Sequence, residues 1–352
     1  MAPARPDPAT PLRRGWTTGA CATAATKAAL TAILTGAFPD PVTITLPKGR
    51  TPAFPLAEER LDGDAAMVAI VKDAGDDPDV THGATIRATV RPNPGGGIAF
   101  AAGPGVGTVT KPGLPIPPGE PAINPVPRAM MTAEIEALSA AHGVPADWRV
   151  TVSVDGGEAL AAQTWNPRLG IVGGLSILGT TGVVNPFSCA AWIHSIHRGV
   201  DVARATGLPR ILAATGSTSE AAAHALHPAL PPEALIDMGD FAGGLLKYLR
   251  EHPVPHLVLA GGFAKLSKLA RGSLDLHSGR SQVDLAWLAS LAGDEAIAGA
   301  NTGAEALARA PQLAGMVAER ARATALATLR GAPVAVEMAV VSRDGRVLAR
   351  TV

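Results

Sequence analysis

The sequence predicts two domains of different class: an N-terminal mixed α+β domain and a C-terminal Rossmann-like parallel sheet flanked by helices. Its 352 residues exceed the usual length of a single domain. Up to about residue 165, strands outnumber helices and follow one another through turns, whereas strand, glycine turn and helix repeat in that order afterwards. We therefore assign residues 1–11 to a flexible tail, 12–165 to the first domain and 166–352 to the second.

The first domain opens with a helix of small residues that follows the sequence Gly15-Trp16-Thr17-Thr18-Gly19. Threonine is a good N-cap and alanine the best helix former, and a helix that is apolar on all faces is expected to be buried. Period-two alternation and turn residues then predict strands at 42–46, 65–71, 84–90, 98–101 and 148–154, with a helix at 129–142. Residues 103–127, dense in Gly and Pro, predict an irregular and functional loop.

In the second domain the pattern predicts strands at 171–178, 210–214, 234–238 and 256–260. Helices are expected at 188–206, after the turn 215–220, at 241–251 and at 263–271. Further helices at 283–291, 303–308 and 316–329 precede a hairpin of two strands, 334–341 and 347–351.

Composition excludes several classes of function. Lys+Arg and Asp+Glu both number 30, so no basic field exists to attract nucleic acid, and no lipidation motif or apolar span indicates a membrane. The two cysteines are far apart, which provides neither a disulfide framework nor a metal-ligand spacing and favours a cytoplasmic protein without a bound metal. Local clusters still allow a polyanionic small ligand, and the sequence leaves open whether the chain forms a homo-oligomer.

Two segments of the first domain carry candidate chemistry. The N-terminus of the first helix, at Thr17, Thr18 and Gly19, would direct N–H groups and a positive dipole end at an anion, unless it is an ordinary cap. The turn at 72–83 holds four carboxylates and a histidine. From the pattern a hydrated hairpin is favoured there, and Asp73 and His82 remain candidates for acid–base chemistry.

Glycine-rich turns are a second kind of candidate. The loop at 103–114, which carries Lys111, fits two interpretations equally well: a loop that binds a ligand, or a connection rich in turns. The turns at 173–182, 215–220 and 261–262 follow predicted strands, where a nucleoside-containing cofactor would bind, with Asp237 and Asp240 as ribose acceptors. None carries the G-x-G-x-x-G fingerprint. Lys265, Lys268 and His277 are read as solvated side chains.

Taken together, six segments resemble the CbiD family, the cobalt-precorrin-5B C1-methyltransferases of anaerobic cobalamin biosynthesis. They span residues 12–280 in family order: GWTTGAC (15–21), VKDAGDDPDVTH (71–82), GVGTVTKPGL (105–114), GIVGGLSILGTTG (170–182), VVNP (183–186) and LHS (276–278). The second half departs from the family pattern at 215–220 and 260–263, and Trp16 stands where a tyrosine is expected.

The resemblance implies that S-adenosylmethionine methylates C1 of cobalt-precorrin-5B to give cobalt-precorrin-6A, and that cobalt arrives in the tetrapyrrole substrate. We expect the acidic rim of the substrate to be held in the first domain by Thr17, Thr18, Gly19, Lys27, Lys111 and Arg128. The donor is expected in the second domain at Gly173, Gly174, Gly179, Thr180, Thr181, Gly216 and Gly261. Asp73 or His82 would accept a proton or orient the ring, in a cleft between the domains.

Two other functions stay open at this point. A non-catalytic corrinoid carrier would keep the residues that hold the rim and bind no methyl donor. A nicotinamide-dependent oxidoreductase would use the same glycine turns but needs the dinucleotide fingerprint, which the sequence lacks.

Overall fold

A computed structural model describes residues 11–351, which form two compact units of mixed α/β structure, the first ending at Ser188 and the second beginning at Cys189. The predicted tail lies outside the described residues except for Pro11. The first unit thus extends beyond the predicted boundary near residue 165, because residues 171–184 pair with strands of the first unit.

The first unit is built on a five-stranded sheet of order β4-β5-β6-β10-β7, in which β10 and β7 are parallel and the other neighbours antiparallel. Its helices are α1 (Thr18–Thr35), α2 (Pro125–Ala141) and α3 (Gly157–Ala161). Its strands are β1 (Gly15–Trp16), β2 (Val42–Thr43), β3 (Ala53–Phe54), β4 (Glu58–Asp62), β5 (Ala65–Val71), β6 (Thr85–Pro92), β7 (Ala99–Ala102), β8 (Gly105–Val106), β9 (Thr108–Val109), β10 (Trp148–Val154), β11 (Ile171–Val172), β12 (Gly174–Leu175) and β13 (Val183–Val184).

Helix α1 forms the centre of this unit, as its composition predicts. Thr17 is the N-cap, with its hydroxyl oxygen accepting a hydrogen bond from the Ala20 N–H, and Gly36 ends the helix in the left-handed region at φ 81°. Alanines from Ala20 to Ala32 are fully buried in the core that α1 shares with α2 and with the sheet. Small side chains let these elements approach closely, so the helix is apolar all round.

Two predictions for glycine-rich segments of this unit are wrong. The strand expected at 171–178 is two short strands, β11 and β12, separated at Gly173, whose φ of 88° does not continue a strand. The loop expected at 103–127 contains β8 and β9 and the first turn of α2. Strand β8 pairs with β12, and β9 pairs with β11. The backbone groups of the two segments therefore form hydrogen bonds with each other.

The second unit is built on a sheet of order β15-β14-β16-β17-β18, in which the first four strands are parallel and the edge strand β18 is antiparallel to β17. Its strands are β14 (Arg210–Ala214), β15 (Leu235–Asp237), β16 (His256–Gly262), β17 (Ala335–Val341) and β18 (Val347–Thr351). Its α-helices are α4 (Cys189–Ala205), α5 (Ser217–Leu226), α6 (Ala242–Glu251), α7 (Phe263–Ala270), α8 (Leu285–Ala292), α9 (Gly303–Arg309) and α10 (Leu313–Leu329), with 3-10 turns at Pro232–Ala234 and Glu295–Gly299.

Alternate residues of these strands point to opposite faces. Ile211, Leu257 and Met338 join a large core with α4, α6, α7 and α10, whereas Leu212 and Val258 join a smaller core with α5. Helices therefore cover both faces, as runs of buried strand residues predict. Among residues 11–351, the structure shows no helix with the length and apolar character needed to cross a bilayer.

Candidate functional site

Three segments that are far apart in the sequence meet where α1 begins. The Trp16 N–H donates to the Asp73 carbonyl at 2.7 Å, the Thr17 N–H to the Gly182 carbonyl at 3.0 Å, and the Gly19 N–H to the Leu178 carbonyl at 3.0 Å. We refer to residues 13–19, 72–82 and 178–187 together as the α1 entrance. It combines parts of four of the sequence motifs in one place.

Glycines of the α1 entrance are required by backbone packing. A Cβ on Gly15 would lie 2.0 Å from the carbonyl carbon of Ala74, and a Cβ on Gly179 would lie 2.2 Å from the Oγ1 atom of Thr17. These distances are far shorter than real contacts permit, so a side chain at either position would displace the neighbouring segment. A glycine without a side chain is also what a ligand-binding loop would need. Here the missing side chain lets two chain segments pack against each other.

The threonines expected to bind an anion are committed to internal hydrogen bonds. Thr17 and Thr18 are 6% and 4% exposed. The Thr17 hydroxyl caps the Ala20 N–H at 3.2 Å, while the Thr18 hydroxyl donates to the Leu178 carbonyl and accepts from the Leu178 N–H. The N–H of Gly19 donates to the same carbonyl. The structure therefore gives these residues a structural role at the cap, and their contact with substrate stays a prediction.

Asp73 and His82 do lie close together, as the acid–base prediction requires. His82 Nδ1 lies 3.9 Å from Asp73 Oδ1. Both guanidinium Nη atoms of Arg13 donate to the Asp73 carboxylate, and the Gly75 N–H donates to it at 2.9 Å. These hydrogen bonds from Arg13 and Gly75 outweigh burial and hold the pKa of Asp73 below its ordinary value. Asp73 is thus a carboxylate engaged with Arg13 and a weak proton acceptor.

The hydrogen bonding of His82 defines its tautomer. Its Nδ1 accepts the Ala74 N–H at 3.1 Å, which leaves the proton of the neutral ring on Nε2. The side chain is half exposed. The free N–H of His82 is therefore at Nε2, and its role in acid–base chemistry stays a prediction.

Beneath this surface lies a buried ion pair. Lys72 is 1% exposed, and its Nζ lies 2.7 Å from Asp79 Oδ2. Burial opposes ionisation of Asp79, but the charge of Lys72 and hydrogen bonds from Lys72 and Thr81 outweigh it, so the pKa of Asp79 is lowered. Burial raises the pKa of the nearby Cys21 to about 12, which keeps this cysteine a thiol.

The cations expected at the rim of the substrate do not gather at the α1 entrance. Lys27 pairs with Glu134 of α2 at 2.9 Å, about 14 Å along α1 from its N-terminus. Arg128 donates to the carbonyls of Ile123 and Pro121. The stem of Lys111 lies against Gly170, where a Cβ would come within 2.6 Å of its Cγ.

A basic pocket that sequence reasoning missed borders the α1 entrance. It has a volume of about 200 Å³ and is lined by Arg14, Leu46, Lys48, Arg50, Thr181, Val183 and Asn185. Of the predicted ligand-binding residues it contains Thr181 alone. The lining comes from three separated segments, so no local motif indicates it. Among residues 11–351, no group of three or more His, Cys, Asp and Glu side chains has an arrangement that would hold a metal ion.

The predicted donor site is divided between the two units. Its members Gly173, Gly174, Gly179, Thr180 and Thr181 belong to the first unit, which corrects their assignment to the parallel sheet. The reason is long-range strand pairing, because a Cβ on Gly174 would lie 2.3 Å from the backbone of Gly105 in the neighbouring strand. Gly216 and Gly261 lie in the second unit, as predicted.

In the second unit, Gly216 follows strand β14, and Gly261 lies at the end of the adjacent parallel strand β16. A Cβ on Gly261 would lie 2.9 Å from Thr215, whereas no heavy atom lies within 4 Å of a Cβ built on Gly216. Lys265 Nζ donates to the Thr215 carbonyl at 2.9 Å and lies 3.1 Å from Asp240 Oδ1. That oxygen is buried and accepts no hydrogen bond of good geometry from any residue the structure describes. Lys265 thus pairs with Asp240, and Gly216 is left as open backbone after β14.

The fold defines a two-unit α/β protein, and each unit contains a candidate ligand-binding surface. Residues 5–186 match the family described as CbiD, and residues 275–352 match the family described as CbiD, C-terminal domain. The chain belongs to the CbiD family.

Its relatives carry one name. Proteins of Brucella anthropi and Brucella canis, 64% and 65% identical over 96% of this chain and 95% of their own length, are both named cobalt-precorrin-5B C(1)-methyltransferase. A solved structure described as a cobalamin biosynthesis protein (cbiD) from Archaeoglobus fulgidus is 24% identical over 82% of each chain, with a TM-score of 0.40.

Proposed function

We propose that this protein methylates C1 of cobalt-precorrin-5B, with S-adenosylmethionine as the methyl donor, to give cobalt-precorrin-6A in the assembly of the corrin ring. The observation that carries this proposal is the name shared by relatives that are 64–65% identical over nearly the whole chain. Proteins this similar over nearly their whole length share the helices and strands that build both units. Cobalt enters the reaction as part of the substrate.

The second unit supports a donor site at the carboxyl ends of its parallel strands. Numbered along the unit, the strand order is 2-1-3-4-5, and connections leave β14 and β16 in opposite directions. In such sheets, ligands bind at the switch point between these two strands. Gly216 provides open backbone there.

The donor supplies an electrophilic methyl group on a sulfonium. The carbon–sulfur bond breaks as the new bond to ring C1 forms, and the sulfonium becomes a neutral thioether. No protein nucleophile is required for this displacement. The residues of the chain therefore have to bind and align both reactants and exclude water from the reacting carbon.

We assign His82 to the tetrapyrrole as a hydrogen-bond donor through Nε2. The proton on Nε2 and the engagement of Nδ1 with Ala74 support orientation of the ring and argue against proton abstraction. Asp73, whose oxygens are taken by Arg13 and Gly75, supports the loop and takes no proton.

The decisive experiment supplies purified protein with cobalt-precorrin-5B and S-adenosylmethionine carrying a ¹³C-labelled methyl group. The expected result is a label at C1 of the product and an equal amount of S-adenosylhomocysteine. Tight binding of the tetrapyrrole without transfer, in protein that binds S-adenosylhomocysteine poorly, would refute the enzyme and identify the carrier instead.

The role of His82 is tested by a matched pair of variants. His82→Gln keeps a donor near the position of Nε2, whereas His82→Ala does not. We expect the alanine variant to lose about tenfold in kcat/KM and the glutamine variant to lose much less. If His82 were instead a base, both variants would fail and the pH profile of kcat/KM would lose an inflection.

A further inference from the structure

We infer that the basic pocket lined by Arg14, Lys48 and Arg50 holds carboxylate arms of the tetrapyrrole substrate. The inference rests on the proposed function, because it assigns part of that substrate to a site in the first unit. None of the lining residues is acidic, and Thr181 and Asn185 add a hydroxyl and an amide beside the three cations. Such a set suits anionic oxygen atoms.

The three cations differ from Lys27 and Lys72 of the same unit in their pairing. Lys27 and Lys72 each lie within 3 Å of a carboxylate oxygen of Glu134 or Asp79. Among residues 11–351, Arg14, Lys48 and Arg50 are exposed and have no carboxylate partner. Their mutual repulsion is left without compensation by the protein, so an anionic ligand is favoured.

The backbone holds the lining residues in place. The turn that carries Lys48 and Arg50 is closed by hydrogen bonds from the Leu46 N–H to the Arg50 carbonyl and from the Gly49 N–H to the Leu46 carbonyl, both at 2.8 Å. Gly182, next to Thr181, lies so close to Leu46 that a Cβ would come within 2.5 Å of it. A site formed before binding loses less conformational entropy when it binds its ligand.

Arg14 is directed to the pocket by its place in the chain. It forms an isolated β-bridge with Gly75, and side chains of successive extended residues point in opposite directions. Arg13 accordingly turns to the Asp73 carboxylate, while Arg14 lines the pocket. The pocket therefore adjoins the loop that carries Asp73 and His82.

Size and charge select the part of the reactants that binds. A volume of about 200 Å³ is smaller than the pockets that enclose drug-sized ligands, so it accommodates acetate or propionate arms and not the macrocycle. S-adenosylmethionine carries one carboxylate together with an ammonium and a sulfonium, so its net charge is positive and three cations disfavour it, whereas the tetrapyrrole carries several carboxylates. The pocket therefore belongs to the tetrapyrrole.

The test measures binding of uroporphyrin, a tetrapyrrole with the same kinds of acidic arm, by quenching of its fluorescence. We expect Lys48→Glu and Arg50→Glu each to weaken binding about tenfold, because each replaces attraction by repulsion, and the double variant to weaken it about a hundredfold. Added salt should weaken binding to the unaltered protein more than to the double variant.

Arg91→Glu is the matched control, since Arg91 is an exposed and unpaired cation of the same unit outside the pocket, as far as residues 11–351 show. It should bind uroporphyrin as the unaltered protein does, and the double variant should keep its affinity for S-adenosylhomocysteine. The inference is overturned if the unaltered protein does not bind uroporphyrin, or if the folded double variant binds it within twofold of normal.

Failure of the pocket and failure of the proposed function remain distinguishable. Protein that binds uroporphyrin through the pocket but transfers no methyl group would retain the pocket and refute the enzyme. Normal turnover by the double variant, with an unchanged KM for cobalt-precorrin-5B, would retain the enzyme and refute the pocket.

Discussion

Thr18→Val tests whether the start of α1 is a structural joint. The buried Thr18 hydroxyl accepts the Leu178 N–H at 3.0 Å and donates to the Leu178 carbonyl at 3.2 Å. Valine has nearly the same shape and makes neither bond. The carbonyl keeps the Gly19 N–H, but the Leu178 N–H is left buried without a partner. Two lost hydrogen bonds and one unsatisfied donor cost about 2–4 kcal/mol.

For a unit of this size, such a loss lowers Tm by about 5–15 °C. Differential scanning calorimetry measures the shift, and hydrogen exchange at the Leu178 amide locates it. Thr23→Val is the control on the same helix, because its hydroxyl donates to the Gly19 carbonyl, which also accepts a helical N–H. That variant should lose less than about 1 kcal/mol.

The reasoning is refuted by a Thr18→Val protein whose Tm matches that of Thr23→Val and whose Leu178 amide stays protected. If the same protein bound uroporphyrin weakly, the hydroxyl would serve the ligand, as the sequence motif predicts.

Three further predictions concern the same region. Gly179→Ala should lower the free energy of unfolding by about 3–5 kcal/mol, measured by urea unfolding. The new Cβ would lie 2.2 Å from the Thr17 hydroxyl, and the residue would have to keep a φ of 137°. A loss below about 1 kcal/mol would contradict this packing. Lys72→Met should cost about 1.5–3 kcal/mol at pH 7, because it removes the ion-pair partner of the partly buried Asp79 carboxylate and leaves only the hydrogen bonds from Thr81. The unaltered protein keeps the stabilisation from the lowered pKa of Asp79 above about pH 4 and loses it as the pH falls further. In the variant, burial raises that pKa, so the deficit should shrink as the pH falls from 7 towards 4, and a deficit independent of pH would count against the pair. Only one of the two cysteines should react with a thiol reagent at pH 8 in the folded protein, because burial raises the pKa of Cys21 to about 12. Both should react after unfolding. Two reactive thiols in the folded protein would contradict the burial of Cys21.

Local sequence predicted the elements whose causes are local. The strands expected at 65–71, 148–154, 210–214 and 347–351 have those bounds in the structure, because alternation along one strand reports the face that it buries. Strands β3 and β4 and helix α3 were missed. β4 is exposed along its length, so it has no alternation to detect.

For the candidate site, the sequence predicted that Thr17 caps a helix and named Asp73 and His82 as candidates for acid–base chemistry. In the structure Thr17 is the N-cap of α1, and Asp73 and His82 lie close together. The sequence did not determine the chemistry of Asp73 and His82, since the tautomer of His82 depends on the Ala74 N–H and the lowered pKa of Asp73 on Arg13. Arg13 comes from a distant part of the chain and the Ala74 N–H from the backbone of the turn itself, and a sequence pattern records neither contact.

Six sequence motifs carried the family resemblance. Composition and periodicity determined the buried alanine helix and most elements of the parallel sheet, because each of these depends on neighbours along the chain. Tertiary structure decided that the glycines at 173–182 belong to the first unit and that Arg14, Lys48 and Arg50 share a pocket. The physical reason is that a glycine admits a ligand or another backbone equally well. Which of the two it meets is settled by long-range pairing, here of β11, β12 and β13 with β9, β8 and β1.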